Sequence, residues 1–565
     1  MTVATPEKHA MEDDKSWHLF LSRNTRRLAK DHGDPPPIHD ETQHGMMIDA
    51  GSQGTRIHIY EFEARVLKHR HEIEHAVQGK RLTFPSTNSR WSARLKPGLD
   101  TFAFASSLGD QHQAVAAYLG PLLEFAKSVL AKKQKDWHEY PIYLKATGGL
   151  RTLPRPYRLQ LIQVVRDLFH NTSFNPFFFE EEHARVISGE EEAIYGWTAV
   201  NFVKNSLIRN SEGSGAVSPA NLTYGVLEMG GASTQIGFFE PNGDVMANLF
   251  KLQIGAAKHW NVYAHSFLYF GVNGAFARLN ARMVAKESNQ QAHGVYNPCL
   301  PGGSTYNFTS RVHFLPNGTL LPISSPSNAS LLVAPLTSTL MINDEATGDY
   351  QACADVVYQL LRKDSNGWCD FAHDRDCSFA GIYQPPLPID EDHFGEFIAT
   401  SNFYEVWAFL GLEGRVPLSQ VRARARQICA MNATSLAVYN EGLPSPVDDD
   451  ELPQFCFRST FISEFLIEGV GFPENYEVTA IDVVDGQKLG WALGSMLYEI
   501  NTLPWTFHKK SLKKMTSSLL ARISPSDPTS GRWPGTIAIL CVVAMWVRFR
   551  RWRRSEWASI PEHAE

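Results

Sequence analysis

The chain of 565 residues is 43% hydrophobic and 20% charged, a globular balance with room for two domains and their cores. A formal net charge of -7 leaves no broad surplus of cations to neutralise a polynucleotide, which argues against a nucleic-acid partner. Seven cysteines without a C-x-x-C pair argue against a cysteine-ligated zinc site.

In chain order, residues 1–43 are polar, carry Pro35-Pro36-Pro37 and are expected to be disordered. They hold no apolar run of signal-peptide length. Residues 46–62 read as strand, Gly/Ser turn, strand. Apolar spacing predicts a helix over 111–133, a short strand over 141–146, a helix over 157–170 and a strand over 177–187. A helix follows over 190–203, and 224–240 repeats the opening theme of strand, Gly-Gly turn, strand. This α/β alternation, with two related hairpins about 180 residues apart, is what a duplicated fold produces.

Six cysteines (Cys299, Cys353, Cys369, Cys377, Cys429 and Cys456) fit three disulfides in an oxidising compartment, with fifteen pairings open. Asn171, Asn221, Asn307, Asn317, Asn328 and Asn432 each begin an N-x-[ST] sequon. Near the C-terminus, residues 533–547 (WPGTIAILCVVAMWV) are uncharged, with Trp533 and Trp546 at the edges. Arg548, Arg550, Arg551, Arg553 and Arg554 follow. That pattern predicts a short membrane helix over 533–547 after a 506–532 linker, with a basic cytosolic tail over 548–565. The large N-terminal part would then be lumenal, in a thin membrane such as the ER or Golgi.

Four segments carry anion and metal chemistry. In residues 49–56 (DAGSQGTR), glycines let backbone N–H groups approach an anion, and Ser52, Gln53, Thr55 and Arg56 add donors. Asp49 offers oxygen to a hydrated cation. Residues 145–151 (KATGGLR) bring the Thr147 hydroxyl, Gly149 and Arg151 to a strand end. Residues 189–197 (GEEEAIYGW) place acids in a first helical turn, where they also complement the dipole. Residues 228–235 (EMGGASTQ) mirror the first segment: an acid, the Gly230-Gly231-Ala232 turn, then Ser233 and Gln235.

Taken in order, these segments resemble the signatures DAGSSxTR, ATAGMR, GxxEGxYxW and DLGGASTQI of the apyrase family of nucleoside triphosphate diphosphohydrolases. Residues 397–404 (FIATSNFY) and 491–494 (WALG) look like two later family segments, and the match spans about 45–500. Residues 91–102, 270–273 and 297–299 look closest to the Golgi-apyrase branch. The resemblance implies an actin-like fold of two RNase-H-like domains, 44–188 plus 482–505 and 189–481, with the active site in the cleft between them. It implies Glu192 as the general base, with Ser233 and Gln235 beside it, acting on nucleoside di- and triphosphates. Ser52, Gln53, Gly54, Thr55, Arg56, Thr147, Gly149, Arg151, Gly230, Gly231, Ala232 and Ser233 would hold phosphates. Asp49 and Glu228 would hold Ca2+ or Mg2+ through water, and Tyr404 and Trp491 would sandwich the base. Glu228 stands where the family has Asp, and Ala193 where it has Gly. A catalytically impaired nucleotide binder is therefore one alternative, and a cytosolic actin-like kinase or chaperone ATPase another.

Overall fold

The computed structural model describes residues 42–67, 82–207, 209–210, 217–218, 222–241, 248–253, 259–286, 294–309, 339–344, 347–361, 378–392, 394–484, 487–503 and 506–507. The chain divides into two units, Met1–Thr506 and Phe507–Glu565, and both large sheets belong to the first. The fold is α/β, as the alternation of the sequence predicts.

The first sheet starts as a hairpin of β1 (Thr42–Gly51) and β2 (Gly54–Glu63), in which Asp49 opposes Arg56. β3 (Ser92–Leu95) pairs antiparallel with β2, while β4 (Ile142–Ala146) and β5 (Ala184–Val186) extend the other edge in parallel. The order is β3-β2-β1-β4-β5. Helices α1 (Leu108–Val129) and α2 (Arg155–His170) close the core, setting Val115, Leu119, Leu161 and Val165 against Ile48, Ile57, Ile59 and Leu144. Ser107 starts α1 by accepting the Asp110 N–H at 3.1 Å, which satisfies a donor that has no partner within the helix.

The second sheet contains β6 (Thr223–Met229), β7 (Ser233–Phe239), β8 (Leu249–Gln253), β9 (His259–Leu268), β10 (Phe394–Ser401), β11 (Gly414–Pro417) and β12 (Glu477–Ala480). Its order is β8-β9-β7-β6-β10-β12-β11. Strand for strand, β9-β7-β6-β10-β12 has the order and directions of β3-β2-β1-β4-β5: two antiparallel pairs, then two parallel ones. The core on this side joins α4 (Val272–Lys286), α5 (Tyr350–Leu361), α6 (Asn402–Phe409), α7 (Leu418–Cys429) and α8 (Phe455–Glu464) to the sheet. Disulfide Cys299–Cys353 ties the turn after Tyr296 to α5, and Cys429–Cys456 joins α7 to α8. Cys369, Cys377 and Cys541 lie outside the described residues.

Two helices fill the space between the sheets. Helix α3 (Gly189–Val203) gives Ile194, Trp197 and Val200 to the second sheet, and Tyr195 and Ala199 to the first. Helix α9 (Trp491–Thr502) packs Leu493, Met496 and Ile500 with Met47 and Tyr60 of the first sheet. Its Gly494 meets the α3 backbone directly: a Cβ there would stand next to the Tyr195 carbonyl and 3.0 Å from the Ala199 nitrogen.

Several boundaries differ from the sequence reading. Thr42 and Gln43, expected in a disordered segment, already pair with Glu63 and Phe62 in β1. Of the strand expected over 177–187, only Ala184–Val186 forms, with a single bridge at Phe178. The acids Glu180, Glu181 and Glu182 favour a tight turn instead, closed by a reciprocal Glu180–His183 cap. Asn171, Asn307 and Asn432 are exposed, and the other three sequons lie outside the described residues. So do the 533–547 run and the 548–565 tail. Among the described residues no single helix is long and apolar enough to cross a membrane.

Gly494→Ala is expected to lower stability by about 1–3 kcal/mol, because the added methyl forces α3 and α9 apart. Gly120→Ala on α1, where nothing lies within 4 Å of the new methyl, serves as the control. Equal melting temperatures for both variants would contradict the close approach.

Candidate active site

The β1–β2 and β6–β7 turns face one another. A Cβ on Gly231 would lie 2.6 Å from Gln53 Cγ and 2.8 Å from Ser52 Oγ, so glycine is needed where the turns meet. Around this meeting point one cavity is lined by Asp49, Ser52, Gln53, Gly54, Arg56, Thr147, Glu192, Glu228, Gly230, Gly231, Ala232, Ser233 and Trp491. Three expected phosphate contacts, Thr55, Gly149 and Arg151, fall outside that lining. Thr55 is fully buried on the face of β2 opposite Arg56, as strand alternation requires. Gly149 packs against Asp100 and Ser52.

In the lining of the cavity Glu192 is fixed by two donors. Arg151 Nη2 donates to its Oε2 at 2.7 Å, and Gln235 Nε2 donates to the same oxygen at 3.2 Å. Both donors also reach Ser233 Oγ, at 3.0 and 2.8 Å. Gln235 further donates to Ser266 Oγ at 3.0 Å. Arg151 and Gln235 thus stand behind the cavity wall and hold Glu192 and Ser233 side by side. Burial raises the Glu192 carboxyl above its ordinary value, and Arg151 opposes that rise. Ala193 lies inside α3 and is not among the residues with positive φ, so its methyl brings no backbone strain.

Strands β1 and β6 deliver Asp49 and Glu228 to the same cavity. Burial pushes the Asp49 carboxyl up to about 7; Arg56, 3.9 Å away, pulls it down, and Glu192 adds to the rise. Burial pushes Glu228 well up too, followed by the charges of Glu192 and Asp49. Glu228 receives a long bond from Ser401 Oγ at 3.5 Å. A methyl on Gly196 would lie 3.1 Å from Glu228 Oε2, so that bare glycine makes room for the longer acid. Among the described residues, Asp49 Oδ1 and Glu228 Oε2 are buried without a hydrogen-bond partner. Two such oxygens in a site of mutually repelling acids fit a divalent cation held through water. The same residues contain no cluster able to ligate a metal directly.

A second chamber shares Asp49, Arg56, Glu228, Ser401, Glu405 and Trp491 with the first and leads past Arg94, Lys488 and Tyr404. Tyr404 is 42% exposed at its mouth, whereas Trp491 is 3% exposed and packed with Leu493 and Met496. Sequence reasoning missed Ser401, whose φ of 60 places a non-glycine residue in strained backbone beside Glu228. It also missed Arg94, which donates to the Gln53 carbonyl at 3.2 Å. Both lay inside segments already singled out, 397–404 and 91–102, but neither residue type there marked a site.

Comparison with known proteins agrees with this site. The model of the GDA1/CD39 (nucleoside phosphatase) family matches residues 37–518. Ectonucleoside triphosphate diphosphohydrolase 8 of Bos taurus is 29% identical, covering 82% of this chain and 84% of its own. Probable apyrase 6 of Arabidopsis thaliana is 28% identical, covering 82% and 74%. The Golgi apyrase of Saccharomyces cerevisiae is 26% identical, covering 80% and 69%. A nucleoside triphosphate hydrolase structure from Neospora caninum superposes with a TM-score of 0.52 at 18% identity, covering 87% of this chain and 97% of its own, a likeness of fold.

The raised Asp49 value sets a direction for stability. The folded chain holds a proton that the unfolded chain releases near 3.8, so this contribution is complete below about pH 4 and is lost as pH rises through about 7. In chelator, the melting temperature is expected to fall across that window, and Asp49→Asn to flatten the fall. A flat wild-type profile would contradict the burial of this carboxyl.

Proposed function

The chain belongs to the GDA1/CD39 (nucleoside phosphatase) family, and from that premise we propose that Glu192 is the base with which it hydrolyses nucleoside di- and triphosphates. The chain is an apyrase-type enzyme acting on acid anhydrides. The observation that carries the residue-level reading is the Glu192–Arg151–Ser233–Gln235 cluster at a cavity roofed by two glycine turns.

In this reading the polyphosphate lies between the turns, where N–H groups and the Ser52 hydroxyl meet its oxygens. Both bonds to Glu192 fall on Oε2, which leaves its second oxygen to orient a water. That water attacks the terminal phosphorus and its proton passes to Glu192. The bond from phosphorus to the bridging oxygen breaks, giving orthophosphate and a nucleotide shorter by one phosphate, down to the monophosphate. Ser233, held by Arg151 and Gln235, faces the same water. Asp49 and Glu228 would hold Ca2+ or Mg2+ through water, and the cation would neutralise charge on the phosphate oxygens. The exposed ring of Tyr404 is the better placed of the two aromatics to stack a base, since packing covers Trp491.

The repeated strand order supports two RNase-H-like domains, 44–188 plus 482–505 and 189–481, in an actin-like arrangement. Exposed sequons, two disulfides and a Golgi apyrase among the relatives support a glycosylated enzyme facing the Golgi lumen, anchored by residues 533–547.

Glu192→Gln keeps the shape and loses the base. Phosphate release from ADP or ATP with Ca2+ or Mg2+ is expected to drop about 10²–10⁴-fold while nucleotide binding persists. A folded Glu192→Gln protein with full turnover would rule out this residue as the base.

A further inference from the structure

Lys145 sits near the end of β4, shortly before Thr147 and Arg151, and is almost wholly buried. Its ammonium does not line the cavity. It donates to Ser495 Oγ at 2.6 Å and to Glu499 Oε1 at 2.6 Å, both on α9. It also stands 4.7 Å from the centroid of the Tyr195 ring on α3. One side chain of the first sheet therefore meets both helices that lie between the sheets.

Each element it touches ends in the site. β4 runs into Thr147 and the one-turn helix Gly148–Arg151. Helix α3 begins at Gly189 and carries Glu192 in its first turn, and α9 begins at Trp491. A companion pair works on the neighbouring strand. Arg185 of β5 grips Glu191 with two bonds, at 2.8 and 2.7 Å. Glu191 in turn accepts the Ser188 N–H at 3.0 Å, closing the cap at the start of α3. Two cations on adjacent strands thus clamp the helices whose first turns reach the cavity.

We infer that Lys145 is a positioning residue for phosphate release: by tying α9 and α3 to the end of β4 it sets the distance between Arg151 and Glu192. A buried cation with two short, directed bonds has few alternative geometries, because leaving it unpaired is costly. Arg151 and Glu192 sit on different elements and meet at 2.7 Å, so a small slip of α3 past β4 separates them. The inference rests on Glu192 as the base.

The test is the double variant Lys145→Met/Glu499→Leu, which removes both charges and leaves similar apolar volume behind. Circular dichroism and the melting temperature are expected to stay near wild type. KM for ADP should change less than about threefold, and kcat should fall about 10–100-fold, the scale of a misplacement near 1 Å. A pair that only stabilises the fold would lower the melting temperature and leave kcat per folded molecule unchanged, and that result overturns the inference. If the double variant does not fold, Ser495→Ala decides: it removes one bond and keeps the ion pair. Its kcat is expected to fall with KM unchanged, and full kcat again overturns the inference. A wild-type enzyme insensitive to Glu192→Gln would instead overturn the base assignment beneath it.

Discussion

Asp49, Glu192 and Glu228 are three carboxylates buried around one cavity, and their mutual repulsion is the constraint that the rest of the site answers. Acids so placed are costly unless paired, protonated or bound to a cation. Each is met differently. Arg151 holds Glu192 at 2.7 Å, Arg56 approaches Asp49 only to 3.9 Å, and Glu228 receives a single long bond from Ser401. The strongest pairing falls on the acid read as a base, and the weakest on the two acids read as cation holders. That grading follows from where the acids sit. Glu192 stands in the first turn of a helix beside a guanidinium from the one-turn helix after β4, whereas Asp49 and Glu228 sit near strand ends and line the cavity.

The scaffold makes this convergence possible. Two sheets of the same order each end a hairpin in a glycine turn, and the two turns meet face to face. Helices α3 and α9 lie between the sheets, and Gly494 lets them approach to backbone contact. Such packing makes the spacing of Glu192 from the opposite wall a property of the core and not of a flexible loop. The ion pairs Lys145–Glu499 and Arg185–Glu191 add direction to that packing.

Much of this was legible in the sequence. Both hairpins, the acid after Gly189 and the hydroxyl–amide pair Ser233/Gln235 were all visible as local patterns. What escaped depended on partners distant in the chain. Glu191 occupies a variable position of its motif, yet only the fold reveals Arg185 gripping it. Thr55 and Arg56 look equally suited to phosphate, but strand alternation turns only Arg56 to the cavity. Trp491 belongs to a motif, and only packing shows its ring covered while Tyr404 stays open. Cysteine spacing left fifteen pairings open, and only the fold shows Cys299 beside Cys353 and Cys429 beside Cys456. The strand expected over 177–187 failed because acid-turn chemistry outweighed a run of phenylalanines.

The most direct measurement is calorimetric titration of Ca2+ into the full protein near pH 6, in two buffers of different ionisation enthalpy. With Asp49 and Glu228 both pushed up by burial, uptake of the cation is expected to release protons, and Asp49→Asn to lower the number released. Cation binding without proton release, or release unchanged in Asp49→Asn, would contradict the view that these buried acids form the cation site.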